Sequence, residues 1–159
     1  MDRRHRSQVS FLTSDSPAPI GSAADVLADV RSRPTWDGAL IEADDAQFPR
    51  ITVEWHDGHG FILHCWESET SWSHFLVTGG GPFATPSIEV ELGGQALERW
   101  PSELFSSTDR ATRALDYFLA QGRQDPTLDW VSTDGFPRDV LWKTRAQREA
   151  WERAHPRRR

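Results

Sequence analysis

The side chains best equipped for chemistry crowd into one stretch: His56, His59, His64, Cys65 and His74. Imidazole and thiolate are the usual ligands of zinc, but closed zinc sites are built from pairs such as Cys-x2-Cys and His-x3-His. The spacing here, His-x2-His and then adjacent His64-Cys65, matches neither. Neighbouring side chains on a strand point to opposite faces, so His64 and Cys65 do not converge on one ion. The expectation is no metal site, with Cys65 a small buried hydrophobe and the histidines in turns or on an exposed face. Cys65 is also poorly placed as a nucleophile, because it stands mid-strand rather than at a helix start that would stabilise a thiolate. No Gly-x-Ser-x-Gly elbow occurs. Gly79-Gly80-Gly81-Pro82 is glycine-rich like a phosphate loop, yet it lacks Gly-Lys-Ser/Thr and a following capped helix, and it reads as a flexible turn. No cofactor is implied.

Paired carboxylates at Glu67/Glu69 and Glu89/Glu91 have the spacing that puts both members on one strand face. Such pairs could serve as acid and base in a small hydrolase, but alternating Glu is also what the solvent side of a one-sided sheet carries. As a contact surface the first pair is the better candidate, since Trp72 adds an aromatic anchor to Glu67 and Glu69. Asp37, Glu42, Asp44 and Asp45 supply further acidic groups in turn-like sequence, and these seven residues form the expected partner-binding set. Charge distribution supports it. Six of the 18 basic residues lie in the first six and last three positions, so residues 7–156 keep 12 basic and 23 acidic residues, a formal charge of −11 against −6 for the chain. An acidic body repels nucleic acid and attracts basic partners.

These residues need a scaffold, and 159 residues suffice for one domain whose core relies on eight Trp and eight Phe. The single cysteine excludes an internal disulfide, no run approaches the roughly 20 apolar residues of a membrane helix, and the N-terminus leads into Ser and Pro; a cytoplasmic location is expected. Residues 1–20 show no periodicity and read as a loosely ordered arm, 21–155 as one α+β domain, and 156–159 as a basic tail. Ser22 caps a helix with Ala23, Val26, Leu27 and Val30 on one face, ending near Arg33-Pro34. Residues 36–49 read as an acidic loop with one short edge strand. Ile51–Trp55 and Phe61–Trp66 flank the turn residues 57–60 as a hairpin, and strands at 72–78 and 88–92 extend the meander. A helix from Ser107 or Thr108 to Gly122 carries Ala111, Ala114, Leu115, Phe118 and Leu119 at helical spacing. A last strand spans 127–131, and a short amphipathic helix starts near Thr144. The predicted class is α+β, an antiparallel sheet of about five strands with helices packed on one face.

At the second helix the pattern becomes specific. Ala111-x2-Ala114-x3-Phe118-x3-Gly122, followed by Pro126 and Asp129-Trp130, resembles the C-terminal signature of the first-numbered immunity-protein family of bacterial polymorphic toxin systems. Pro126 stands at the fourth position after the glycine rather than the third. The hairpin tryptophans Trp55, Trp66 and Trp72 and the Trp100-Pro101 approach are also similar, so the resemblance covers residues 22–131. It implies an α+β domain that acts as the inhibitor of a cognate toxin, often a deaminase or nuclease. An acidic body suits the basic cleft of an enzyme that processes nucleic acid. The expected function is therefore stoichiometric occlusion of a toxin's active site, without turnover and without nucleic-acid or membrane binding by this chain. The competing classes are a protein-binding adaptor and a small hydrolase using the carboxylate pairs. An adjacent toxin gene separates the first from the second, and loss of an activity on Glu89 or Glu91 substitution marks the third.

Overall fold

A computed structural model describes residues 8–11, 17–43, 47–79, 88–92, 96–133 and Arg153, with the backbone alone for 90–92 and 96–99. Its elements in chain order are β1 (Gln8–Phe11), β2 (Ala18–Pro19), α1 (Ala23–Ser32), β3 (Ala39–Glu42), β4 (Arg50–His56), β5 (Gly60–Trp66), β6 (His74–Leu76), β7 (Ile88–Leu92), β8 (Ala96–Trp100), α2 (Thr108–Gln121) and β9 (Trp130–Ser132). Seven strands form one antiparallel sheet in the order β2-β1-β3-β4-β5-β6-β9, while β7 and β8 pair separately as a ribbon. The fold is α+β, with more strands than the sequence predicts.

Both helices follow from local chemistry. The Ser22 side chain accepts from the Asp25 N–H at 3.1 Å and starts α1; the Ser107 side chain does the same for Arg110 at the start of α2. Gly122 ends α2 in the left-handed conformation at φ 66°, its N–H donating to the Phe118 carbonyl at 2.7 Å. Val26, Leu27 and Val30 of α1 and Ala111, Ala114, Leu115 and Phe118 of α2 pack on the same sheet face, against Ile41, Ile51, Val53, Phe61, Leu63, Cys65 and Leu76. Alternation sends Ile62, Phe75 and Val77 to the opposite face, where Trp100, Leu104 and Phe105 cover them. That second cluster is built by the segment running from β8 through a single 3-10 turn at Ser102–Leu104.

Four expectations need correction. The stretch read as a loosely ordered arm contains β1 and β2. Val9 and Phe11 are buried in the main core, a two-residue alternation too short to register as periodicity without its partner β3. The acidic stretch read as a loop with one short edge strand does contain a strand, β3, but it lies inside the sheet between β1 and β4 rather than at an edge. Ile88–Leu92 does not extend the meander; it pairs with Ala96–Trp100, a strand the sequence reading passes over. The final strand starts at Trp130, because 125–128 form a turn in which the Leu128 N–H donates to the Asp125 carbonyl. The helix expected from Thr144 and the basic tail lie outside the described residues, and among the described residues no helix is long and apolar enough to cross a membrane.

Candidate protein-binding edge

Strand polarity decides which loops share an end of the sheet. β3 ends at Glu42, β4 begins at Arg50, β5 ends at Trp66 and β6 begins at His74, with Glu42 opposite Arg50 and Arg50 opposite Trp66. The β3–β4 and β5–β6 connections therefore emerge together. Glu67, Glu69 and Trp72 occupy the second connection, Glu67 and Glu69 exposed and Trp72 39% exposed. They sit beyond the strand, so the one-face spacing read for Glu67/Glu69 does not apply. The loop is built locally: the Ser68 and Ser71 backbone N–H groups each donate to the other's hydroxyl at 3.0 Å, and the Ser71 hydroxyl donates to the Ser68 carbonyl at 3.3 Å. Glu42 is half-buried at the end of β3; Asp44 and Asp45 lie outside the described residues.

Asp37 is the departure from the expected set. It stands at the opposite end of the sheet and is only 2% exposed, its carboxylate accepting from Arg33 Nη1 at 2.9 Å and its N–H donating to the Pro34 carbonyl. Asp37, ahead of Asp29, raises the Arg33 guanidinium above its ordinary pKa. The neighbouring Gly38 lies so close to β4 that a Cβ there would come within 2.7 Å of the Val53 carbonyl oxygen. Asp37 is a structural counter-ion at the end of α1, not part of the exposed acidic set.

The acidic end rests on a row of rings that sequence reasoning missed. On the face away from the helices, Arg50 Cζ lies 4.6 Å from the Phe48 ring centre and 5.0 Å from that of Trp66. The Trp66 ring is 3.8 Å from His64, and His64 stacks on Phe75 at 3.8 Å and 13°. The row continues edge-on from Phe75 to Trp100 at 6.1 Å, and His56 meets Phe105 edge-on at 5.6 Å. The signal was present as Phe48-x-Arg50 and His64-x-Trp66, two pairs at strand spacing, but their meeting depends on the β4–β5 register.

The metal-capable residues are dispersed by the same geometry. Burial first, then His74 and Arg50, pushes His64 down to about 3, so it is a neutral ring in the stack rather than an exposed base. Cys65 faces the helices, fully buried, and burial ahead of the Glu67 charge pushes its thiol up to about 12. His56 is buried with Nε2 at 3.2 Å from Glu54 Oε2, and His59 is exposed in the turn. Among the described residues, no group of three or more His, Cys, Asp or Glu is placed to hold a metal ion. Glu89 is exposed on β7, and the backbone of Glu91 pairs with Leu97.

The residues of the signature sequence do structural work in this chain. Ala111, Ala114 and Phe118 are fully buried, Gly122 caps α2, and the Trp130 indole N–H donates to the Asp125 carbonyl at 2.9 Å across the turn that carries the exposed Pro126. Asp125 accepts from the Thr127 hydroxyl at 2.7 Å and backbone N–H at 2.9 Å and lies 3.4 Å from Arg113 Nε, which holds its carboxyl below the usual range. Two shallow depressions of about 550 and 600 Å³ flank α2 and share Asp109 and Arg113. The cations there serve the fold: Arg113 bonds Thr127, and Arg110 donates to the Val77 carbonyl at 2.5 Å. Comparison with protein-family models and with curated proteins finds no match.

Proposed function

We propose that the protein is an immunity protein: a stoichiometric inhibitor that covers the active-site cleft of a cognate toxin, a deaminase or nuclease, in the cytoplasm and without turnover. The observation that carries this reading is the sheet end from which the connection after Glu42 and the connection carrying Glu67, Glu69 and the exposed Trp72 both emerge, the latter braced by hydrogen bonds between Ser68 and Ser71. Projecting loops with one aromatic anchor and like charges suit insertion into a basic cleft. The formal charge of −11 over residues 7–156 adds long-range attraction to such a cleft, and the helix-to-Trp130 signature adds the family resemblance.

Co-expression with a toxin domain from an adjacent gene tests the reading. Growth should be restored, and purified toxin should lose activity in proportion to added protein up to one equivalent. Combined reversal of Glu67 and Glu69 to Lys should weaken protection, while reversal of Glu89 on the ribbon leaves it intact. No protection by the wild-type chain rejects the immunity role. Full protection by the Glu67/Glu69 reversal rejects this end as the binding surface.

A further inference from the structure

We propose that Arg50 is a positioning residue that locks the two connections at the acidic end into one surface. The inference rests on the binding role proposed for that end. Arg50 opens β4, its guanidinium lies over both Phe48 of the β3–β4 connection and Trp66 at the end of β5, and Trp66 joins His64 and Phe75 in a continuous stack. Both stems of the 67–73 connection, Trp66 on one side and Phe75 on the other, are thereby tied through one cation to the connection that follows Glu42. No carboxylate pairs with Arg50 among the described residues, although Glu42 lies opposite it, and its buried Nε has no hydrogen-bond partner there. The rings hold this cation, so its planarity matters as well as its charge. A surface already ordered before encounter loses less conformational freedom on binding, which makes Arg50 relevant to affinity although it is itself largely covered.

Amide exchange in the uncomplexed full chain tests the coupling without any partner. The Ala43 N–H, which donates to the Pro49 carbonyl at 3.0 Å, reports on one connection, and the Ser68 and Ser71 N–H groups report on the other. Arg50→Met should accelerate exchange at all three by roughly fivefold to thirtyfold, the range set by two partly exposed cation–π contacts. Amides in the middle of α2 should keep wild-type rates, and Arg50→Lys should fall between. Phe48→Leu, on the loop side alone, should also accelerate Ser68 and Ser71, and it serves if Arg50→Met does not fold. Unchanged Ser68 and Ser71 exchange in both variants, or acceleration shared equally by α2, overturns the proposal. These outcomes are independent of growth protection, so a failed coupling and a failed immunity reading are told apart.

Discussion

Two side chains show how burial redirects chemistry that their types would otherwise permit. Burial pushes the His64 pKa down to about 3 from an ordinary value near 6.5. Between those values the unfolded chain binds a proton that the folded chain refuses, so stability is undiminished above about pH 6.5 and falls as pH drops, by up to about 1.4 kcal/mol per unit. Urea unfolding from pH 7 to 5 should show this slope, and His64→Phe, which keeps a ring between Trp66 and Phe75, should flatten it. An equal slope in the variant would place the acid sensitivity elsewhere. Cys65, with its thiol pushed up to about 12, offers almost no thiolate at pH 8. A thiol reagent such as Ellman's should leave the native protein unmodified and label it fully in guanidinium chloride; rapid native labelling would contradict the burial. The alternation of the strand made the separation of His64 from Cys65 legible in advance. The stack around His64 was not, because its partners come from β4 and β6.

At the scale of elements, helix α2 and the β4–β5 hairpin carry the sharpest expectations. Phe118 is fully buried between α2 and the sheet, and Phe118→Ala should cost about 3–5 kcal/mol in chemical denaturation. The hairpin contains two glycines that differ in how much room a side chain would find. Gly58 has φ 76° and open space around it, so Gly58→Ala should cost about 1–2 kcal/mol for the left-handed backbone alone. Gly60 has φ 130°, and a Cβ there would lie 2.5 Å from the Ser106 carbonyl oxygen, where Phe61 and Ser106 exchange backbone hydrogen bonds. Gly60→Ala should cost about 2–4 kcal/mol, combining strain with displacement of the segment leading into α2. Similar costs at the two positions would mean that this junction yields easily. Helix ends were readable because Ser22, Ser107 and Gly122 act on the backbone next to them. β1, β8 and the interior position of β3 were not, since a four- or five-residue strand gains its identity and place from the neighbour it pairs with.

Across the whole molecule, charge asymmetry and topology act together. If the acidic end meets a basic cleft, association should be steered electrostatically and the binding rate should fall steeply with salt, as the screening length shortens from about 10 Å at 0.1 M to about 3 Å at 1 M. Stopped-flow association with the cognate toxin should slow about tenfold or more over that range, and reversal of Glu67 and Glu69 to Lys should remove most of the dependence. A rate that is flat with salt would leave Trp72 and shape complementarity, rather than charge, as the basis of binding.

The sequence alone determined α1, α2, the central hairpin, the α+β class and the acidic character of the body, because capping, turn formation, alternation and net charge depend on residues close together or on simple sums. Tertiary structure decided which acidic groups stand together. Strand polarity brings Glu42 to the same end as Glu67, Glu69 and Trp72, whereas Asp37, which precedes the start of β3, falls at the far end and is buried against Arg33. It also assembled Phe48, Arg50, Trp66, His64 and Phe75 into one stack, since cross-strand register is fixed only when separate segments of chain bury their apolar faces against each other.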